Sequence, residues 1–210
     1  MKTTVATFNA NYAEVGKIIS KNLFKLSIAG LFIGLFYAYD GLVATFLGLY
    51  LLTSIGKRWK KKLPDRKIYL TGAVISGILG VCCELWGIEN EYWQYHDLGG
   101  ERQFPYWLPF AWALAFTFVY KLEKEIFEAL NRPLWTTKMV IALGVAIIFP
   151  TIGEIITINL GVWTYSWPYQ VFGVPILAIF LLMVFHSGVN LLMSWVCKYQ
   201  VWKDIVFNPW

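Results

Sequence analysis

The strongest constraint on the fold is a series of apolar stretches, each long enough to cross a lipid bilayer. The chain has 210 residues, of which 58% are hydrophobic and 15% are charged. Soluble domains of this size carry about 25% charged residues. Apolar runs of about twenty residues recur between clusters of charge, and a soluble core does not need so many. The sequence therefore predicts an all-α integral membrane protein.

The first apolar stretch, residues 26–56, contains Asp40 as its only charged residue. A single helix of this length would measure about 46 Å, whereas the hydrocarbon core is roughly 30 Å thick. Because Asp40-Gly41 is a turn signal, we expect a hairpin of two short helices, with one tilted helix as the alternative. Residues 1–25 carry four lysines and predict an interfacial segment that precedes one transmembrane domain over residues 26–210.

The remaining apolar runs predict four more helices, about 68–87, 105–120, 139–158 and 175–197. The loop 57–67 holds seven of the eighteen basic residues, which is typical of a cytoplasmic loop. Residues 121–138 are also basic in part, whereas residues 88–104 are mainly acidic and 159–174 are uncharged. Charge asymmetry thus predicts about six transmembrane helices with both termini in the cytoplasm.

Two glutamates interrupt apolar helices 70 residues apart, and each is followed by the same aromatic motif. Glu84 precedes a Trp-Gln-Tyr tripeptide, and Glu154 precedes a Trp-Thr-Tyr tripeptide. A shared spacing over more than thirty residues predicts an internal repeat of about 70 residues, with units near 71–125 and 141–195. The same shift relates Trp93 and Tyr95 to Trp163 and Tyr165, and Pro105 to Pro175.

These glutamates are the candidate catalytic residues. A carboxylate within a membrane helix costs several kcal/mol unless it is protonated, paired or hydrated. If Glu84 and Glu154 face one pocket, burial would keep one of them an acid and leave the other as base or partner. The alternative is that each glutamate binds the loop that follows, for instance through a tryptophan N–H.

The aromatic motifs and one pair on the last helix are candidate substrate-binding residues. Trp93, Tyr95, Trp163 and Tyr165 could line a cavity and stabilise a carbocation, although aromatic residues are also enriched at membrane interfaces. His186 and Asn190 share a helical face. They could belong to the pocket or form an interhelical hydrogen bond.

Several other classes of function lack support in the sequence. The net charge of +5 follows from the basic loops and does not indicate nucleic-acid binding. One histidine within the apolar helices does not make a metal site, and no phosphate-binding loop or hydrolase motif occurs. We therefore expect no metal and no cofactor. The expected partners are the bilayer and a lipid or isoprenoid substrate, and the sequence leaves a homo-oligomer open.

Residues 80–180 resemble the lycopene-cyclase domain and the related carotenoid hydratases. The resemblance rests on Val162-Trp163-Thr164-Tyr165, a short aromatic loop, and Phe172-Gly173-Val174-Pro175 at the start of the next helix. In those cyclases acidic residues follow the proline, whereas Ile176-Leu177 follow Pro175 here. The acid pair of the family is therefore missing at that point, and Glu84 and Glu154 would have to serve instead. Transmembrane terpene cyclases of meroterpenoid pathways are similar in a looser way.

The resemblance implies a membrane enzyme of isoprenoid or carotenoid metabolism. The expected reaction is a proton-initiated cyclisation, hydration or isomerisation without a redox cofactor. The alternative is a non-enzymatic protein that binds a lipid or pigment, or a subunit of a membrane complex. A small transporter is a third hypothesis, because parallel hairpin repeats also occur among transporters.

Overall fold

The computed structural model describes residues 11–98, 102–131 and 134–208. Over these residues the chain is almost entirely helical, which confirms the predicted all-α class. The helices are α1 (Tyr12–Phe36), α2 (Asp40–Lys60), α3 (Arg66–Glu89), α4 (Leu108–Ala129), α5 (Trp135–Asn159) and α6 (Ile176–Tyr199). Four very short strands lie between them, β1 (Trp93–Tyr95), β2 (Trp163–Tyr165), β3 (Gln170–Val171) and β4 (Val174–Pro175).

Four helices, α1, α3, α5 and α6, are long and apolar enough to cross a membrane. Their outer faces carry large exposed apolar side chains, among them Leu35, Ile78, Ile148 and Phe180. Water would not favour such a surface, whereas lipid tails would cover it. These properties agree with the predicted multi-pass membrane protein.

The first apolar stretch forms two helices, as expected, but both are longer than predicted. The chain turns at residues 37–39, and Asp40 at the start of α2 forms an ion pair with Arg102. The helix α1 begins at Tyr12, where the Asn11 side chain accepts a hydrogen bond from the Glu14 N–H at 3.1 Å. Residues 12–25 are therefore continuous with α1, and residues 1–10 lie outside the described chain.

The helix α1 packs against α5 through two glycines one turn apart. A Cβ atom at Gly30 would lie 3.1 Å from the Ile156 side chain, and one at Gly34 would overlap Leu160. Small residues spaced by four let two membrane helices approach closely. Because no hydrophobic effect drives helices together within lipid, this close packing stabilises the helix pair. The pair Gly30 and Gly34 thus determines how closely α1 approaches α5.

The helix α4 is the most enclosed of the six, and the prediction that it ends near residue 120 is wrong. It continues to Ala129 and buries ten residues against its neighbours. Its charged end is accommodated because the charges find partners on other helices. Lys21 lies 2.8 Å from Glu125, and Lys124 lies 2.8 Å from Asp65.

The two Trp-x-Tyr motifs, which the sequence indicated only as loop residues, form a small antiparallel ribbon. In this ribbon of β1 and β2, Gln94 lies opposite Thr164. The strands β3 and β4 pair in the loop that leads into α6. The ribbon joins the loop after α3 to the loop after α5, so it connects the two halves of the bundle.

We predict that Gly34→Ala lowers the free energy of unfolding by about 1–3 kcal/mol, since its methyl group would displace Leu160. Gly16→Ala on the same helix is the matched control, because nothing lies within 4 Å of the added methyl group. It should leave stability unchanged or raise it by up to about 1 kcal/mol. Thermal unfolding in one detergent compares the two. Equal effects would contradict the proposed close packing at Gly34.

Candidate functional site

Glu84 is a buried carboxylate that accepts three hydrogen bonds from three aromatic side chains. The indole N–H of Trp93 donates to Oε2 at 2.8 Å, and the Tyr95 hydroxyl donates to the same oxygen at 3.0 Å. The indole N–H of Trp112 donates to Oε1 at 3.0 Å. Both oxygens therefore have protein donors, which compensates for the loss of water around a side chain that is 8% exposed.

Two glycines on α3 explain why bulky indoles can reach this carboxylate. Gly80 and Gly87 lie one helical turn on either side of Glu84, on the same face of the helix. A Cβ atom at Gly80 would overlap the Trp112 ring, and one at Gly87 would overlap the Trp93 ring. The missing side chains thus create the two spaces from which the indoles donate.

Glu154 has a similar environment with fewer donors. The Tyr165 hydroxyl donates to its Oε2 at 2.8 Å, as Tyr95 does to Glu84. The indole of Trp163 also interacts with the Glu154 carboxyl. Leu182, which lies 70 residues after Trp112, is apolar and cannot donate a hydrogen bond. Glu154 is also less buried than Glu84.

The ribbon of β1 and β2 brings the two glutamates and both aromatic motifs together. Trp93 lies opposite Tyr165, and their ring centroids are 5.6 Å apart. Tyr95 lies opposite Trp163 at 5.5 Å. The two carboxyl groups are close enough for their charges to interact. The six candidates form one site, called the Glu84–Glu154 site below: Glu84, Glu154, Trp93, Tyr95, Trp163 and Tyr165.

The hydroxyl of Tyr95 keeps its proton and donates a hydrogen bond in this site. Burial and then the neighbouring Glu84 and Glu154 carboxylates raise the pKa of Tyr95 well above its usual value. The same tyrosine lines a cavity of about 430 Å³ on the loop side, whose lining includes the polar residues Gln94, His96, Asp97 and Arg102. One residue therefore contributes to both the buried site and a solvent-facing cavity.

His186 lies beside the Glu84–Glu154 site, whereas Asn190 does not reach it. The buried ring of His186 is 6.2 Å, between centroids, from Trp112, the indole that donates to Glu84. Asn190 donates instead to Oε1 of Glu123 on α4 at 3.0 Å. His186 is therefore close to the surroundings of Glu84, whereas Asn190, on the same helical face, contacts Glu123.

Sequence patterns did not indicate two residues that are important around the buried carboxyl groups, Trp112 and Glu123. Trp112 is one of eleven tryptophans in the chain and lies within an apolar run, so nothing in its surroundings marks it. Glu123 was assigned to a cytoplasmic loop because lysines flank it, but it is fully buried. The only signal for Trp112 was the presence of Gly80 one turn before Glu84, a small residue that leaves space for a ring.

Within the described residues, no group of three or more histidine, cysteine, aspartate or glutamate side chains is arranged to hold a metal ion. Comparison of the chain with protein-family models, with curated proteins and with solved structures gave no match.

We predict that Glu84→Gln lowers the free energy of unfolding by about 1–3 kcal/mol, because one amide N–H₂ must face an N–H or O–H donor. Glu154→Gln should cost less than about 1 kcal/mol, since its amide oxygen can still accept from Tyr165. Thermal unfolding of both variants in the same detergent measures the difference. Equal losses would contradict the unequal hydrogen bonding described for the two glutamates.

Proposed function

We propose that the chain is an integral membrane enzyme that protonates a double bond of an isoprenoid or carotenoid hydrocarbon. The observation that supports it is the Glu84–Glu154 site, in which two carboxyl groups and their aromatic donors meet within an apolar bundle. Two carboxyl groups in unequal environments are a common arrangement for dividing acid and base roles. The choice of hydrocarbon follows the sequence resemblance.

The proposal includes six transmembrane helices with both termini in the cytoplasm. The less apolar α2 ends in Lys57, Arg58 and Lys60, and α6 ends with Lys198, so the basic helix ends would share one side of the membrane. The enclosed position of α4 explains how a charged helix could lie within the bundle.

We also propose that α3–β1–α4 and α5–β2–α6 are two copies of one unit. Gln94 and Thr164 are 70 residues apart and lie opposite each other in the ribbon. When a two-fold axis passes between two antiparallel strands, the residue at the axis lies opposite its equivalent in the other copy. The pairing of Trp93 with Tyr165 and of Tyr95 with Trp163 supports the same relation.

Glu154 is the acid in this proposal, and Glu84 is its fixed partner. Both oxygens of Glu84 accept protein hydrogen bonds, whereas Glu154 is less buried and its Oε2 accepts from Tyr165. The Glu154 proton adds to one alkene carbon, the π electrons form the new C–H bond, and the adjacent carbon becomes cationic. Loss of a proton from a neighbouring carbon, or attack by water followed by loss of a proton from the added oxygen, completes the reaction. The released proton passes to water in the cavity beside Tyr95, and Glu154 stays a carboxylate until it is protonated again.

The aromatic rings of the ribbon are suited to a cationic intermediate. Trp167 packs against three of them, at 5.8 Å from Trp93, 6.0 Å from Tyr165 and 4.8 Å from Tyr92 between centroids. Ring faces attract a positive charge, most strongly where water is excluded. The cluster therefore provides a surface on which a carbocation could be stabilised.

A non-enzymatic function is the second candidate, and the environment of Glu84 favours it. A carboxylate whose two oxygens are both occupied can serve only to hold β1 and α4 against α3. The chain would then bind a lipid or pigment, or form part of a membrane complex. In that case Glu154→Gln would change no metabolite.

The test compares lipid extracts, by untargeted mass spectrometry, from cells that express wild type or Glu154→Gln at equal protein levels. General acids contribute about 10²–10⁴-fold, so Glu154→Gln should abolish a detectable isoprenoid product. The product would be an isomer of its precursor or would differ from it by one water. Glu89→Gln, an exposed substitution at the end of α3, is the matched control and should leave the product unchanged. Identical extracts from wild type and Glu154→Gln would overturn the enzymatic proposal.

A further inference from the structure

A second carboxyl group, that of Glu123, is buried in the bundle away from the Glu84–Glu154 site. It lies eleven residues after Trp112 on α4, about 16 Å further along the helix. Its side chain is 0% exposed, and the Asn190 amide donates to Oε1 at 3.0 Å. Within the described chain Oε2 is buried and has no hydrogen-bond partner. A carboxyl group with a single neutral donor is far more stable protonated than ionised.

The charged group that acts on Glu123 has the same sign. Asp204, in the segment after α6, repels a negative charge on Glu123. Asp204 is itself compensated, since it accepts from the Tyr120 hydroxyl at 2.8 Å and the Val206 N–H at 2.9 Å. Lys124 lies 4.0 Å from the same carboxylate. Hydrogen bonds and a cation therefore compensate the Asp204 carboxylate, and Glu123 avoids a second negative charge by holding a proton.

Polar contacts continue from Asp204 and Tyr120 to the basic end of the bundle. The Tyr120 hydroxyl lies 3.3 Å from Asp65, which forms ion pairs with Arg58 and Lys124. Burial alone would raise the pKa of Asp65, but hydrogen bonds and charge from Lys124 and Arg58 outweigh burial and lower it. Both cations are partly exposed, so the contacts reach solvent.

In the other direction, polar groups continue toward the Glu84–Glu154 site. Asn190 lies one turn, about 6 Å, from His186 on α6. The buried His186 ring is beside Trp112, which donates to Glu84. Glu123 thus lies between a partly exposed ionic network at one end and His186 at the other.

We propose that Glu123 is a proton-holding site whose proton exchanges with solvent at the Asp65–Asp204 end of the bundle, and that it resupplies the acid of the Glu84–Glu154 site on the side of His186. When Glu123 releases its proton it becomes a carboxylate, and water at the Asp65 end returns a proton. The resupply role rests on the proposed function, whereas the proton on Glu123 and its exchange do not.

Infrared difference spectroscopy of the purified full-length protein in lipid nanodiscs at neutral pH tests the proposal. Wild type should show a carbonyl band of a protonated carboxyl group that is lost in Glu123→Gln and shifts to lower frequency in D₂O. Asn190→Leu keeps the carboxyl group but removes its hydrogen-bond donor, so the same band should shift to higher frequency. Glu125→Gln is the matched control, because Glu125 is the next glutamate on α4 and is ion-paired with Lys21. It should leave the band unchanged.

The absence of a band that depends on Glu123 would overturn the proposal, and so would a band that D₂O does not shift. If Glu123→Gln does not fold, the response of the band to Asn190→Leu decides, and an unchanged spectrum would overturn it. Failure of the proposed enzymatic function would be a different result. The lipid extracts from wild type and Glu154→Gln would then be identical while the Glu123 band is present.

Discussion

The structure depends on the need to satisfy a carboxylate that the chain buries in an apolar bundle. Glu84 cannot keep its hydration shell within α3, so donors must come from other elements. Trp93 and Tyr95 come from the loop after α3, and Trp112 comes from α4. Hydrogen bonding at this residue therefore fixes the loop and the neighbouring helix together, and the glycines one turn away on each side provide the space that the indoles occupy.

The β1–β2 ribbon extends this constraint to the second half of the bundle. Because each motif has alternating aromatic residues, pairing the two strands places both tyrosines and both tryptophans around two carboxyl groups. The two glutamates share the motif but not every donor, since Leu182, 70 residues after Trp112, cannot donate a hydrogen bond. That inequality leaves Glu154 with fewer donors than Glu84 and is the physical basis for assigning them different roles.

The sequence predicted the helices and the six central residues of the site because both depend on local patterns. Apolar runs determine membrane helices, and the fixed spacing from Glu84 and Glu154 identifies their aromatic partners. The ribbon was not predictable, because three-residue strands are too short to show a periodic pattern. The length of α4 and the burial of Glu123 were missed for another reason. Their charges are compensated by residues such as Lys21 and Asp65, which are distant in sequence.

Disulfide cross-linking across the ribbon tests the central claim, that the two motifs pair and bring both glutamates to one site. Gln94 and Thr164 are exposed and lie directly opposite each other, so cysteines at both positions, with Cys82, Cys83 and Cys197 replaced by alanine, should form a disulfide on mild oxidation. Cysteines at Gln94 and Ser166 are out of register, about 7–8 Å apart, and should cross-link poorly. Efficient cross-linking of the first pair alone is the predicted result. Absence of a cross-link between positions 94 and 164 in the folded protein would contradict the account.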